Sequence, residues 1–459
     1  MSWSAATAWS EARFWGRPLT RLLSRYPGHV VVALAVCWFA GLPSVWVVLL
    51  GVGLALGLRV WACIHPISFA HAASSPVLGR WHGHRVRRLW PAVCEACELG
   101  HEVGQRLRIR SRWPRVEVRT RPVMGQTCAD FERAGEAIRT ALDAAQIRVE
   151  PEGASGVCVA LTFGDGLAVP FEAMVPAQRL AELEFVAMGR RSDGAEWRLP
   201  IGPHTLVAGS SGSGKGSVFW SLAFGLAPEV RAGRVQLHGV DLKGGMEILM
   251  GAGLFTTRAT SAAEAVASLE LLVGWMRKRT SQYAGRMRSH VASVEAPLHV
   301  VMIDELAALT AYCPERDLQR RAENAINLLC SQGRAPGFMV FACLQDPRKE
   351  VIPSRGLFTQ MVGLRLKDLS ETSMVLGEVA VLSGAHCHRI TRDVPGTGYV
   401  IPEDGGHPIR VRAGYASDDR IRAVAAEFAT PATVPHLVLE LHEGSETQNR
   451  RSRSTGAAP

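Results

Sequence analysis

The sequence predicts an α/β fold built on a parallel sheet, with a helical hairpin in front of it, and three stretches carry that expectation. Leu206 to Ala208 is an apolar run feeding a glycine–serine loop, Gly209-Ser-Ser-Gly-Ser-Gly-Lys-Gly-Ser217, which a helix-compatible segment from Val218 to Leu226 follows. Leu298 to Ile303 is a second apolar run, and it ends in Asp304-Glu305. Val30 to Leu58 is a run of 29 residues without a formally charged side chain.

The first stretch has the strand–GxxxxGK–helix plan of a phosphate-binding loop. Glycines let the backbone curl until several N–H groups face one polyphosphate. The following helix N-terminus adds partial positive charge, and Lys215 reaches the terminal phosphates as a point charge. Residues 209–217 (Gly209, Ser210, Ser211, Gly212, Ser213, Gly214, Lys215, Gly216 and Ser217) are thus the expected ATP cradle. One position departs from the plan: a hydroxyl residue is expected after the lysine to hold Mg²⁺, and Gly216 stands there, with Ser217 one place later. One residue is a turn of about 100° along a helix, so Ser217 serves as a metal ligand only if the turn is shifted.

Size and composition set the frame. A chain of 459 residues accommodates roughly two to four domains. Its net charge of +9 suits an anionic partner. Only five of the 51 basic residues are lysines, and two of those five, Lys215 and Lys243, fall in candidate phosphate-site motifs. Ten scattered cysteines form no regular framework, which argues against a secreted disulfide scaffold.

Residues 1–27 carry Arg13, Arg17, Arg21 and Arg25 at helical spacing and read as a basic cytoplasmic N-terminus. Residues 28–64 are the expected transmembrane hairpin. A single helix over the uncharged run would be about 43 Å long against a bilayer core of about 30 Å. Gly41-Leu-Pro-Ser44 is turn chemistry near its middle, and arginines flank both ends, which places both ends inside the cell. The expected location is the cell membrane, with the remainder cytoplasmic. Residues 65–114 read as a basic connector; its Cys94-x-x-Cys97 and His101 lack a specified fourth ligand for zinc, so ordinary thiols are the expectation.

Residues 115–190 read as a small α/β domain, with strands at 116–120, 147–149 and 157–163 and a helix over 129–145. Residues 191–415 read as the motor, and 416–459 as a C-terminal helix and disordered tail. Within the motor, Arg234 to Asp241 reads as a strand and Ser261 to Met287 as an amphipathic helix. That helix ends in Arg277-Lys-Arg279, Arg286 and Arg288, either a DNA-facing surface or a solvated helix end. The strand 298–303 delivers Asp304 to Mg²⁺ and Glu305 to the attacking water as general base. A helix over 317–332, a buried strand over 338–343 and Gln345 at its tip complete the βαβ succession of a RecA-like P-loop NTPase, with Gln345 placed to sense the γ-phosphate.

These pieces resemble the FtsK/SpoIIIE family of DNA translocases, and most of all its plasmid-transfer branch. The likeness covers about residues 115–415 and rests on Gly209–Ser217, Val240-Asp-Leu-Lys-Gly-Gly245, Met302-Ile-Asp-Glu-Leu306, Gln332-Gly-Arg-Ala335 and the strand ending at Gln345. The resemblance implies a homohexameric ring that threads double-stranded DNA, with ATP and Mg²⁺ between subunits and Arg334 acting in trans on the transferred phosphate. Three other readings stay open: a chromosome-segregation pump, a coupling ATPase that feeds single-stranded DNA to a secretion channel, and a membrane scaffold that binds ATP to assemble.

Overall fold

The computed structural model describes residues 75–100, 107–177, 183–348, 353–402 and 406–430, with a few positions between 56 and 64. The basic N-terminus, nearly all of the expected hairpin, His101 and the tail lie outside the described residues. Among the described residues no helix is long and apolar enough to cross a membrane. The chain divides into two compact units at Gly164/Asp165.

The first unit holds helix α1 (Ser75–Ala96), strands β1 (Arg108–Arg112) and β2 (Arg115–Thr120), helices α2 (Cys128–Arg133) and α3 (Gly135–Ala141), and strands β3 (Gln146–Glu152) and β4 (Gly156–Thr162). The strands form an antiparallel sheet in the order β1-β2-β4-β3. Alternation along β2 turns Val116 and Val118 inward, where they meet Val157, Val159 and Leu161 of β4. The single helix expected over 129–145 is two short ones. The first starts at a Thr127/Asp130 capping box, with the Thr127 amide 2.7 Å from Asp130 Oδ2, and the break falls at Ala134, before Gly135. The connector expected over 65–114 is largely structured. Val86, Trp90, Val93 and Cys94 of α1 recur at helical spacing and bury themselves in this unit's core.

The second unit opens with the hairpin β5 (Phe185–Arg191) and β6 (Glu196–Pro200), which belongs to the large sheet rather than to the small unit, so the division falls at 164 where the sequence suggested 190. It continues through β7 (Thr205–Ala208), α4 (Lys215–Arg231), β8 (Val235–Val240), β9 (Phe255–Ala259), α5 (Ala262–Tyr283), β10 (Leu298–Ile303), α6 (Arg316–Gln332), β11 (Phe338–Leu344), β12 (Gln360–Gly363), β13 (Thr397–Val400), β14 (Ile409–Ala413) and α7 (Asp418–Glu427). The ten strands lie in the order β6-β5-β14-β13-β12-β7-β11-β10-β8-β9. From β12 to β9 every pair is parallel; from β12 outward to β6 every pair is antiparallel. This is a mixed α/β P-loop fold. β7 has β12 on one side and β11 on the other, so the chain crosses over it and leaves a crevice at its C-terminal end.

Both faces of the parallel strands are covered, which is why they read as unbroken apolar runs. On one face α4 packs Val218, Phe219, Leu222 and Phe224 with Phe255 and Phe341. On the other, α5 and α6 pack Leu269, Leu272, Ile326 and Leu329 with Val301, Ile303 and Val340. A buried polar chain threads this sheet. His238 Nδ1 lies 2.9 Å from Thr257 Oγ1, its Nε2 lies 3.1 Å from His299 Nδ1, and His299 Nε2 lies 3.1 Å from Arg279 Nη2. Arginine can only donate, so His299 accepts at Nε2 and donates from Nδ1, and His238 in turn donates to Thr257.

Candidate nucleotide site

The loop after β7 is pinned on three sides. Gly209 N donates to Leu344 O at 2.9 Å, Ser210 N to Arg365 O at 2.9 Å, and Gly396 N to Ser213 O at 2.8 Å. Arg365 adds a side-chain bond from Nη2 to Ser211 O at 2.7 Å. Two glycines are required rather than tolerated: Gly212 has φ +68°, and Gly214 has φ +93° with no room for a β-carbon, which would meet Gly396 N at 2.0 Å. The curl delivers the N-terminus of α4, where Lys215 begins the helix. Lys215 is only 9% exposed, and Nζ donates to Gly209 O at 2.7 Å and Ser210 O at 3.3 Å, so its charge sits inside the loop. Burial pushes its pKa down, while Glu305 and Asp304 pull the other way.

Strand β10 ends at the same edge, one strand away. Asp304 N donates to Val240 O at 3.0 Å, and the two carboxylates are 7% and 8% exposed. Glu305 Oε1 accepts from Gln345 N at 3.3 Å, so the residue at the tip of β11 joins the acid pair through its backbone. Burial raises the Glu305 pKa above the usual carboxylate range, opposed by the charges of Lys243 and Lys215.

Lys243 is the clearest addition. Its Nζ lies 3.0 Å from Asp304 Oδ2 and 3.7 Å from Glu305 Oε2. Burial disfavours its charge, but the bond to Asp304 and the nearby carboxylates outweigh this and raise its pKa. The turn that carries it is built by Asp241, whose Oδ1 accepts from Lys243 N at 2.9 Å and Oδ2 from Glu247 N at 2.8 Å, with Gly244 and Gly245 at φ +78° and +76°. Sequence reading associated Lys243 with phosphate; the structure places it on the acid pair, 61 residues away along the chain. No local sequence pattern marks Glu247, which the fold alone brings to the first turn of α4.

Oxygen donors and a single strong carboxylate suit Mg²⁺, which is usually held by one or two carboxylates together with phosphate oxygens. The structure fits that pattern. Ser213 Oγ and Glu305 Oε2 are buried without a hydrogen-bond partner. Among the described residues no group of three or more His, Cys, Asp or Glu could hold a metal through protein donors alone. Ser217, the alternative hydroxyl, lies beside Gly396: a β-carbon there would be 3.5 Å from Ser217 Cβ.

Two arginines singled out by the sequence lie away from this cluster. Arg334 follows α6 at the N-terminal edge of the sheet, near His204 at the start of β7, and is exposed. That is the edge opposite the loop, so Arg334 does not join the site of its own chain. Arg279 is not part of an open basic surface. It donates to Pro297 O at 2.9 Å and Pro336 O at 3.0 Å and lies over the Phe338 ring, leaving Arg277, Lys278, Arg286 and Arg288 exposed. Its helix stops at Tyr283, before the expected 287, where Gly285 takes φ +73°. In the first unit Cys94 is buried, which lifts its thiol pKa to about 12, and Cys97 is half-buried.

Comparison with known proteins agrees with the motifs. Residues 184–296 match the model of the FtsK/SpoIIIE family. The transfer protein TraSA of Streptomyces ambofaciens is 28% identical over 236 residues, covering 47% of this chain and 56% of that protein. The DNA translocase FtsK of Mycobacterium tuberculosis is 29% identical over 245 residues, covering 48% of this chain and 28% of that protein. Among solved structures, the pCW3 conjugation coupling protein TcpA, in a monomer form with ATPγS, overlays with a TM-score of 0.46 at 18% identity, covering 75% of this chain and 99% of that one. The chain thus spans about half the length of TraSA and little more than a quarter of FtsK. Residues 184–296 thus match the model of the same family that the motifs resemble.

Proposed function

We propose that the protein hydrolyses ATP to move double-stranded DNA, that it works as a membrane-anchored hexameric ring, and that its setting is plasmid transfer. The observation that carries the reading is the convergence, at one sheet edge, of the curled loop with Lys215 and the buried pair Asp304–Glu305. The names of its relatives, a transfer protein and DNA translocases, support the cargo and the setting. The net charge of +9 supports phosphate-dominated DNA binding.

In this reading the N–H groups of Gly212 to Gly216 and the α4 N-terminus bind the phosphates. Lys215 leaves the loop carbonyls for the terminal phosphates. Asp304 would hold Mg²⁺, which when bound neutralises charge on the phosphoryl oxygens. Glu305 takes the proton of the attacking water, and Gln345, tied to Glu305 through its backbone, lies where it can report the γ-phosphate to β11. Arg334, at the far edge of its own sheet, serves the site of a neighbouring subunit, which makes the ring necessary for turnover.

The test is the ATPase rate of the full chain in detergent micelles, alone and with linear duplex or single-stranded DNA. Stimulation by duplex, lost in Lys215→Ala, is expected. Stimulation by single strands alone would replace the pump with a coupling ATPase, and no turnover despite ATP binding would leave a scaffold.

A further inference from the structure

Gly216 leaves the site short of a donor, and the space beside it is taken by a carboxylate. A β-carbon at position 216 would lie 3.1 Å from Glu247 Oε1 and 3.6 Å from Oε2, and nothing nearer surrounds it. Glu247 is not there by accident of a flexible side chain. Its Oε2 accepts from Trp220 Nε1 at 2.8 Å, one turn along α4 from Gly216. Its backbone N donates to Asp241 Oδ2 at 2.8 Å. The side chain is therefore held at both ends, with Oε1 turned to the first turn of α4. The charged groups around it are Asp304, Asp241 and Lys243; Asp304 belongs to the acid pair, and Lys243 bridges to it.

We propose that Glu247 supplies, through a metal-bound water, the oxygen donor that a hydroxyl residue at position 216 would otherwise give to Mg²⁺. Glycine at 216 and glutamate at 247 form one device, since the carboxylate crowds the place where a serine or threonine side chain would begin. Mg²⁺ keeps several waters when it binds, and a carboxylate one shell out orients such waters, with a loss of about 10–100-fold in metal affinity when such a partner is removed. Glu305 Oε2, in the adjoining acid pair, is likewise buried without a hydrogen-bond partner and lies 3.7 Å from the Lys243 ammonium. This inference rests on the proposed Mg–ATP site and deepens it.

The experiment is binding rather than turnover. Full-length protein is titrated with AMP-PNP in EDTA, and then with Mn²⁺ in the presence of AMP-PNP, read by electron paramagnetic resonance. In wild type both are expected to bind. Glu247→Gln, which keeps a carbonyl oxygen for Trp220, is expected to bind AMP-PNP in EDTA unchanged and to lose about tenfold or more in Mn²⁺ affinity. Gly216→Ser is expected to weaken Mn²⁺ binding, because its side chain meets Glu247. Gly216→Ser with Glu247→Ala is expected to recover it, a rescue that misfolding could not produce. Wild-type Mn²⁺ affinity in Glu247→Gln, or tightened binding in Gly216→Ser alone, would overturn the inference. AMP-PNP binding that survives Lys215→Ala would instead overturn the reading of the site itself.

Discussion

Acid is the perturbation that this core is least able to absorb. His238 is fully buried with its pKa lowered by burial to about 3, and His204 is 3% exposed with its own lowered to about 4. His299, between His238 and Arg279, is pushed well below its usual value for the same reason. The hydrogen bonds explain why none can take a proton cheaply. Protonating His299 would set N–H against Arg279, protonating His238 would set N–H against His299, and protonating His204 at Nδ1 would expel the Val340 amide it accepts from at 3.0 Å. A lowered histidine pKa means that the unfolded chain binds the proton first. The stabilisation is therefore complete above pH 6.5 and drains away as pH falls toward 4 and 3. Between pH 7.5 and 5 each independent histidine costs about 2 kcal/mol. His238 and His204 alone give about 4 kcal/mol, a large part of a typical domain stability of about 5–15 kcal/mol. Pulse proteolysis in urea across a pH series measures it. His204→Asn, which preserves an acceptor for Val340 and does not titrate, should flatten the pH slope by about one proton. Equal stability of the second unit at pH 7.5 and pH 5, or an unchanged slope in His204→Asn, would refute this account.

Three further outcomes follow from the same geometry. Glu305→Gln should retain nucleotide binding while turnover falls by about 10²–10⁴-fold, as expected for a lost general base, measured by filter binding beside a phosphate-release assay. Arg334→Ala should be inactive alone, and mixing it with wild type should depress activity beyond simple dilution; linear dilution would contradict a role in trans. Arg279→Gln should cost about 2–4 kcal/mol of stability by removing charged hydrogen bonds under β10 and β11. It should leave the salt dependence of DNA affinity unchanged, whereas Arg286→Ala with Arg288→Ala should shallow that slope if this helix end meets DNA.

The sequence by itself determined whatever one segment encodes locally. The curl of residues 209–217 follows from its glycines and their flanks, since φ of +68° and +93° strongly favours glycine over other side chains. The buried strands β7, β10 and β11 follow from unbroken apolar runs, and the acid pair from its place at a strand end. Elements that conceal their burial under charge were not legible. β14 carries Arg410 and Arg412, which look solvent-facing but are matched by Asp165 at 2.8 Å and by the carbonyls of Leu167 and Ala168. Helix α1 hides Val86, Trp90 and Val93 among arginines. Strand order was the other thing only the tertiary structure decided. Parallel strands are paired across long crossovers, so no local pattern states that β8 lies beside β10. That pairing brings Lys243 to Asp304, and the turn after β8 brings Glu247 to Gly216. The return of α6 to the opposite edge is what separates Arg334 from the site of its own chain.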